Sequence, residues 1–70
     1  MQRLRAEIPG KVIRVLAGKG EAVAYDQPVL VVEAMKMQNE IRAPKAGIVK
    51  EIAVTEGRTV GSGEFLLSIE

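Results

Sequence analysis

The chain has 70 residues with a formal net charge of +1, and it is 47% apolar and 27% charged, a composition typical of one small globular domain. Cys and His are absent, which excludes disulfides, zinc sites with nitrogen and sulfur ligands, and catalytic couples that need either residue. The near-neutral charge, with one Tyr and one Phe, excludes a strong basic footprint and an aromatic platform for nucleic acid.

The first half of the chain predicts short strands separated by turns. Nine Val and six Ile against two aromatic residues favour an all-β fold, because β-branched side chains suit a pleated surface. Strands are predicted at three places: residues 11–16, around Val23, and residues 29–33. Asp26 lies in the turn before the third strand, where it tolerates a left-handed backbone. Residues 1–8 are interpreted as a flexible or added start to a single domain of residues 1–70.

The middle of the chain predicts a tight hairpin. Residues 38–42 predict a strand that pairs back on the preceding one, which leaves residues 34–37 as the connection. Two-residue hairpin turns need a positive φ at both central positions and favour Asn-Gly or Asp-Gly. Met35 and Lys36 would occupy those positions, so the local sequence and the turn type disagree. The pattern places one amine between two flexible apolar side chains.

The second half repeats the first at a shift of 37 residues without a gap. Residues 47–70 match residues 10–33 with six identities in 24 positions. Equivalent strands are therefore predicted at residues 48–54, around Val60, and at residues 65–69. In both copies of the first strand, apolar residues lie three positions apart, as at Val12 and Val15, which predicts a bulge that bends each strand.

Two copies cannot form a solenoid, so we expect one closed unit. The predicted fold is all-β: a small flattened β-barrel or sandwich, a barrel-sandwich hybrid, of two four-strand halves related by a pseudo-twofold axis. Because Glu33 matches Glu70, the hairpin and the termini are expected at opposite ends. The expected core comprises ten aliphatic residues: Val12, Val15, Val23, Leu30, Val32, Val49, Ile52, Val60, Leu67 and Ile69.

The sequence at the hairpin resembles that of a known family. Ala-Met-Lys-Met at residues 34–37, between two half-barrel repeats, is the signature of the biotinyl (biotin carboxyl carrier) domain of biotin-dependent carboxylases and decarboxylases, within the biotin/lipoyl attachment family. Residues 39–41 and 43–44 and the Gly-x-x-Val turn of each half also match. The resemblance covers residues 9–70, nearly the whole chain.

The resemblance implies that Lys36 carries biotin through an amide at Nζ, with Ala34, Met35 and Met37 as part of the recognised tip. A lysine amine is mostly protonated at neutral pH and does not acylate itself, so the family's biotin protein ligase, acting through biotinyl-adenylate, is an expected partner. The carried biotin would take up CO2 at a biotin carboxylase site and deliver it at a carboxyltransferase site. The domain is thus expected to be a non-catalytic carrier without a metal, monomeric in isolation.

Other interpretations apply to the residues around Lys36. Met35 and Met37 are also interpreted as side chains that cover the end of the barrel, which is compatible with recognition. Glu33 is interpreted mainly as a strand-end residue that could also contact the ligase. Arg58 departs from the family, which usually has an acidic residue after the turn glycine, and only a surface adjustment is expected. Residues 23–29 are too few for the thumb of some bacterial carrier subunits, which favours the thumbless type.

The expected location follows from what the sequence lacks. The longest apolar run, residues 29–32, is far shorter than the roughly 20 residues that cross a bilayer, and no signal peptide is visible at the start. We therefore expect no membrane insertion and a cytoplasmic location, or the mitochondrial matrix for a domain of a eukaryotic carboxylase.

Three alternatives remain open. A lipoyl carrier domain shares the fold and the hairpin lysine but typically has Asp-Lys-Ala at the tip, so Met35 and Met37 argue against it. A small β-barrel that binds RNA or peptide is the second alternative, and the balanced charge and the lack of aromatic residues argue against nucleic acid as its ligand. A self-contained enzyme is disfavoured because the sequence offers no pair of nucleophile and base.

Overall fold

The fold consists of β-strands. The computed structural model describes all 70 residues and contains eight strands and no helix. In chain order the strands are β1 (Gln2–Arg5), β2 (Gly10–Val15), β3 (Ala22–Val23), β4 (Pro28–Ala34), β5 (Met37–Arg42), β6 (Gly47–Ile52), β7 (Thr59–Val60) and β8 (Phe65–Ile69). The all-β prediction is confirmed, and each of the seven predicted strands lies within two residues of its expected bounds. With only strands present, no helix has the length and apolar character needed to span a bilayer.

The strands form two antiparallel sheets of four strands each. One has the order β1-β8-β6-β3 and the other the order β5-β4-β2-β7. Each sheet combines strands of both repeats, because β3 pairs with β6 and β7 pairs with β2. The sheets stay separate and pack as a flattened sandwich rather than a closed barrel, in a molecule of 30 × 17 × 17 Å. The exchange of short strands makes each repeat depend on the other for its core.

The twofold relation covers more of the chain than the sequence analysis assumed. A shift of 37 residues carries β2, β3 and β4 onto β6, β7 and β8, and the same shift carries β1 onto residues 39–42 of β5. The first strand is built from the segment expected to be a flexible start, and it pairs with β8 over four positions. The chain start therefore supplies β1, the one strand that was not predicted from the sequence.

The predicted bulges are present at equivalent positions. The register between β2 and β4 shifts between Val12 and Arg14, and the register between β6 and β8 shifts between Val49 and Glu51. Each shift inserts one extra residue, so Val12 and Val15 can both face the interior although they are three positions apart. The repeated irregularity of the apolar pattern has the structural cause that we inferred.

A second pair of bulges was not predicted. Pro28 pairs with Arg42 and Leu30 with Ile41, which leaves Val29 as the extra residue between them. The register of β1 on β8 shifts in the same way around Leu66, the residue equivalent to Val29. Both extra side chains are fully buried, so adjacent residues of one strand point into the core where simple alternation would send one of them to solvent.

The core matches the expectation closely. Eight of the ten expected residues are buried, while Val15 and Ile52 are half-buried and pack against the same cluster. The bulge residues and the first strand add members that the alternating pattern did not indicate: Leu4, Val29 and Leu66. The core is continuous through both sheets, so each sheet buries one face on the other.

Two equivalent glycines allow β2 and β6 to lie against the ends of their neighbouring strands. A Cβ atom on Gly10 would be 2.6 Å from the Glu33 carbonyl oxygen and 2.8 Å from a Val32 methyl group, and a Cβ on Gly47 would meet the Glu70 carbonyl oxygen. Glycine is therefore required for this close approach. At Gly10, the contact fixes the base of the hairpin against β2.

Arg58 makes contacts that stay at the surface. Its guanidinium donates hydrogen bonds to the Ala53 carbonyl oxygen at 3.0 Å and to the Glu64 carboxylate at 2.6 Å. The Arg58 side chain is half exposed, so this ion pair stabilises the turn modestly. Asp26 has a φ of 66° and the equivalent Gly63 a φ of 80°, which confirms the left-handed position expected for Asp26.

Candidate functional site

The site is the hairpin that joins β4 to β5. Ala34 pairs with Met37, which leaves a two-residue turn whose central residues, Met35 and Lys36, have φ angles of 53° and 65°. Positive φ at both positions is the geometry of a type I′ turn, as the sequence analysis inferred. For non-glycine residues this conformation costs about 1 kcal/mol each. The paired strands β4 and β5 hold the strained turn in place.

The tip places one amine in solvent between two exposed methionines. Met35 is 82% exposed and Met37 is 63% exposed, and Lys36 is also exposed. The Lys36 amine takes part in no hydrogen bond and no salt bridge within the chain. Such exposure disfavours the alternative in which the methionines cover the end of the fold. It leaves three adjacent side chains free to contact a partner.

Ala34 differs from the other three residues of the tetrapeptide because its side chain is buried. It is 5% exposed, and its Cβ lies only 3.2 Å from the position that a Cβ on Gly10 would take. A larger side chain at residue 34 would push β4 away from β2. Ala34 therefore sets the position of the turn, and only the following three residues are presented at the surface.

Asn39 supports the tip, a role that was not predicted from the sequence. Its side-chain amide donates to the Met37 carbonyl oxygen at 3.2 Å and lies 3.5 Å from the Val32 carbonyl oxygen. The side chain is half-buried between the two strands of the hairpin. An amide two residues after the turn was the available signal, because Asn side chains readily bond to nearby backbone groups.

Glu33 lies one residue before the buried end of β4. It pairs with Lys11 on one side and with Gln38 on the other, and its side chain is exposed and forms no salt bridge. The interpretation of Glu33 as a strand-end residue agrees with this position. The carboxylate is free to contact a partner that approaches the hairpin.

The hairpin and the chain termini lie at opposite ends of the molecule. Gln2 pairs with Ile69 at the free ends of β1 and β8, in the place equivalent to the pairing of Asn39 with Val32 near the hairpin. The repeat thus has one end closed by a turn and one end open. The molecule measures 30 Å in its longest dimension.

The Lys36 amine at the tip can accept an acyl group from a donor. A lysine amine becomes a nucleophile only after it loses its proton, and no residue of this chain bonds to Lys36 to take that proton. No cluster of three or more acidic, His or Cys side chains that could hold a metal ion occurs in the fold. The arrangement suits a lysine that another protein modifies.

Comparison with known proteins gives a consistent picture. Residues 3–69 match the family model described as "Biotin-requiring enzyme". The biotin carboxyl carrier protein of Streptococcus mutans is 45% identical over 64 residues, which cover 91% of this chain and 49% of that protein. The mitochondrial propionyl-CoA carboxylase alpha chain of Homo sapiens is 46% identical over 67 residues, which cover 96% of this chain and 9% of that protein.

The fold has a solved counterpart of the same size. The solution structure of the lipoyl domain of the 2-oxoglutarate dehydrogenase complex from Azotobacter vinelandii matches with a TM-score of 0.89 and 30% identity, over 100% of this chain and 96% of that domain. The chain thus covers 96% of that lipoyl domain but spans half or less of the two curated relatives.

Proposed function

The chain belongs to the biotin-requiring enzyme family, and from this premise we propose that it is a biotin carboxyl carrier domain that is biotinylated on Lys36. The observation that supports this most directly is the hairpin itself. A strained two-residue turn presents the Lys36 amine without any internal partner, with exposed methionines on both sides. A turn built for stability alone would use Asn-Gly or Asp-Gly.

The residues at the tip fit a covalently attached biotin. Lys36 Nζ, once deprotonated, forms an amide with an activated biotin carboxyl group, and the activating group leaves. Because no base of this chain contacts the amine, a biotin protein ligase must accept the proton. Met35, Met37 and the Glu33 carboxylate are the exposed groups next to Lys36 that the ligase would contact.

The carrier role follows from the reach and rigidity of this platform. Biotin supplies a ureido nitrogen that holds CO2 reversibly, and the protein presents it to other sites. Ala34 and Asn39 keep the hairpin base fixed, so movement is concentrated in the lysine side chain and the attached group. The chain itself has no Cys or His, and we propose that it catalyses no step.

The partners of the domain would lie outside these 70 residues. Since the chain spans 9% of the human propionyl-CoA carboxylase alpha chain, the sites that load and unload the carrier belong to other domains or subunits. We propose a biotin carboxylase site and a carboxyltransferase site as these partners. Tethering raises the local concentration of the carried group at both sites to roughly the millimolar range.

A lipoyl carrier is the second candidate function, and the structural match to a lipoyl domain supports it. The fold cannot separate the two candidates, because a lipoyl domain aligns over the whole chain. The tip does separate them: Met35 and Met37 give Lys36 apolar neighbours on both sides, where lipoyl domains typically have Asp and Ala. The biotin assignment is therefore preferred.

The test is the intact mass of the protein after incubation with a biotin protein ligase, ATP and biotin. One biotin should be added to the parent chain and to Lys19→Arg, an exposed lysine in another turn, and none to Lys36→Arg. A parallel reaction with a lipoate ligase should leave the mass unchanged. Lipoylation without biotinylation would replace the proposal with the lipoyl carrier, and no modification of a folded sample would overturn both.

A further inference from the structure

A groove of about 500 Å³ runs between β1 and β5. These strands are the outer strands of the two sheets, and each has one edge that no other strand covers. The volume falls within the range of roughly 300–1,000 Å³ that is common for small-molecule sites. The function proposed above does not use this groove.

The floor of the groove is apolar and its rim is polar. Leu4 and Ile41, which are equivalent in the repeat, line it from the two strands. Asn39, Glu40 and Arg42 line it from β5. The Asn39 amide nitrogen bonds to the backbone, so its side-chain oxygen is the group left to accept a hydrogen bond. A small apolar ring with polar N–H and C=O groups at one edge fits this lining.

The groove breaks the twofold symmetry in favour of the Lys36 end. Exact symmetry would require both members of every equivalent pair to line it, but four lining residues lack such partners: Ala6, Ile8, Val32 and Leu66. Their counterparts lie outside the lining: Ala43, Lys45, Ile69 and Val29. Ala34, at the base of the hairpin, is a further lining residue. The groove therefore has more lining residues toward the hairpin than toward the termini.

A group attached to Lys36 can reach this groove. Asn39 and Ile41 follow Met37 by two and four residues, which is about 7 and 13 Å along a β-strand. A lysine side chain extended by the acyl chain of biotin contains about ten bonds, with a reach on the order of 12 Å. Ala34, two residues before Lys36, lines the groove, so the tether raises the local concentration of the carried group there.

We propose that the groove between β1 and β5 is a resting site for the ring of the biotin carried on Lys36. This inference rests on the proposed function for the identity of the carried group. The ring covers apolar surface of Leu4, Ile8 and Ile41 while it waits, and it leaves the groove to enter a partner site. The groove and the partner site then compete for the biotin ring.

The first experiment avoids dependence on a ligase. The chain contains no Cys, so Lys36→Cys offers a single thiol that a biotin haloacetamide alkylates, with loss of the halide. Amide ¹H–¹⁵N spectra are compared before and after alkylation. Shift changes at Leu4, Ile8 and Ile41, in addition to the hairpin, are expected, and changes confined to residues 34–38 would overturn the proposal.

A matched pair of variants tests the groove in the biotinylated chain. Ile8 and Leu16 are both 43% exposed, but only Ile8 lines the groove. If the ring rests there, Ile8→Ser should raise the rate of capture by avidin about threefold, because a larger fraction of the ring is free, while Leu16→Ser should not change it. Equal capture rates for parent, Ile8→Ser and Leu16→Ser would contradict the resting site.

The two proposals fail in distinguishable ways. Loss of the proposed function is read from the intact mass after ligase treatment, whereas the resting site is read from spectra of the Lys36→Cys adduct. An adduct that shifts groove amides supports docking of the ring even in a chain that the ligase does not modify. If the ligase modifies the chain but the adduct does not shift the amides of the groove, the carrier role stands and the resting site is overturned.

Discussion

The two ends of the molecule are equivalent in the repeat but differ in what joins their strands. At one end Met35 and Lys36 connect β4 to β5 through a left-handed turn, and at the other end β8 and β1 pair in the same way without a connection. The sandwich forms around both arrangements, so the strained turn is not a requirement of the core. The comparison separates residues that hold the fold from residues that present a lysine.

The largest loss of stability is expected at the two equivalent glycines, Gly10 and Gly47, where there is no room for a side chain. Gly10→Ala and Gly47→Ala should each lower the free energy of unfolding by about 3 kcal/mol, because the added Cβ meets a carbonyl oxygen of the neighbouring strand. Urea unfolding of both variants checks this. A loss of stability for Gly10→Ala but not for Gly47→Ala would show that the strands must approach closely only near the hairpin, and not in both halves of the repeat.

The next contrast compares the core with the tip. Val32→Ala should cost on the order of 2 kcal/mol because Val32 is buried, and the equivalent Ile69→Ala should cost at least as much. Lys36→Arg should leave the unfolding midpoint nearly unchanged, since the amine has no partner within the chain. Similar losses at Val32 and Lys36 in the same urea titration would contradict the division into core and tip.

The two halves of the core differ at one buried polar residue, and replacing that residue should stabilise the fold. Ser68 is fully buried and its hydroxyl has no hydrogen-bond partner, whereas the equivalent residue is Val31. Ser68→Val should raise the free energy of unfolding by about 1 kcal/mol, since it replaces an unsatisfied polar group with apolar surface. The reciprocal Val31→Ser is the control and should destabilise; a stabilising Val31→Ser would show that the site tolerates polar groups.

The smallest effect concerns the turn itself. Lys36→Gly should be more stable than Lys36→Ala by up to about 1 kcal/mol, because only glycine adopts the φ of 65° without strain. Thermal unfolding of the two variants, neither of which can accept biotin, measures the difference. Equal stability would mean that pairing of β4 with β5 relaxes the turn when the lysine is removed.

The repeat made most of this architecture predictable, and its limits explain what was missed. Matching residues 10–33 with residues 47–70 located the strands, the first bulges and the hairpin. The strand β1 was missed because Gln2–Arg5 has one apolar residue and pairs through its backbone, although the same shift places Leu4, Arg5 and Ala6 on Ile41, Arg42 and Ala43. That extension of the repeat was the overlooked signal.

The candidate site divides in the same way. The left-handed turn followed from the two-residue spacing, and Lys36 stood out as the only amine there. The support from Asn39 and the groove could not be predicted, because both depend on how two strands distant in sequence approach each other. The burial of Val29 likewise required the bulge between Pro28 and Leu30, which no local pattern indicated.

The pairing of Gln2 with Ile69 brings the two ends of the chain together. The two repeats thus form a nearly closed ring that is open at one of its two equivalent connections. Joining residue 70 to residue 1 by a two-residue turn, and opening the chain between Met35 and Lys36, would give a circular permutant with the same sheets. Placing the tetrapeptide of the hairpin at the new junction would then move the attachment site to the opposite end of the paired strands. In this fold the location of the carried group depends on which end of the sandwich has the four-residue connection, and not on the core that supports it.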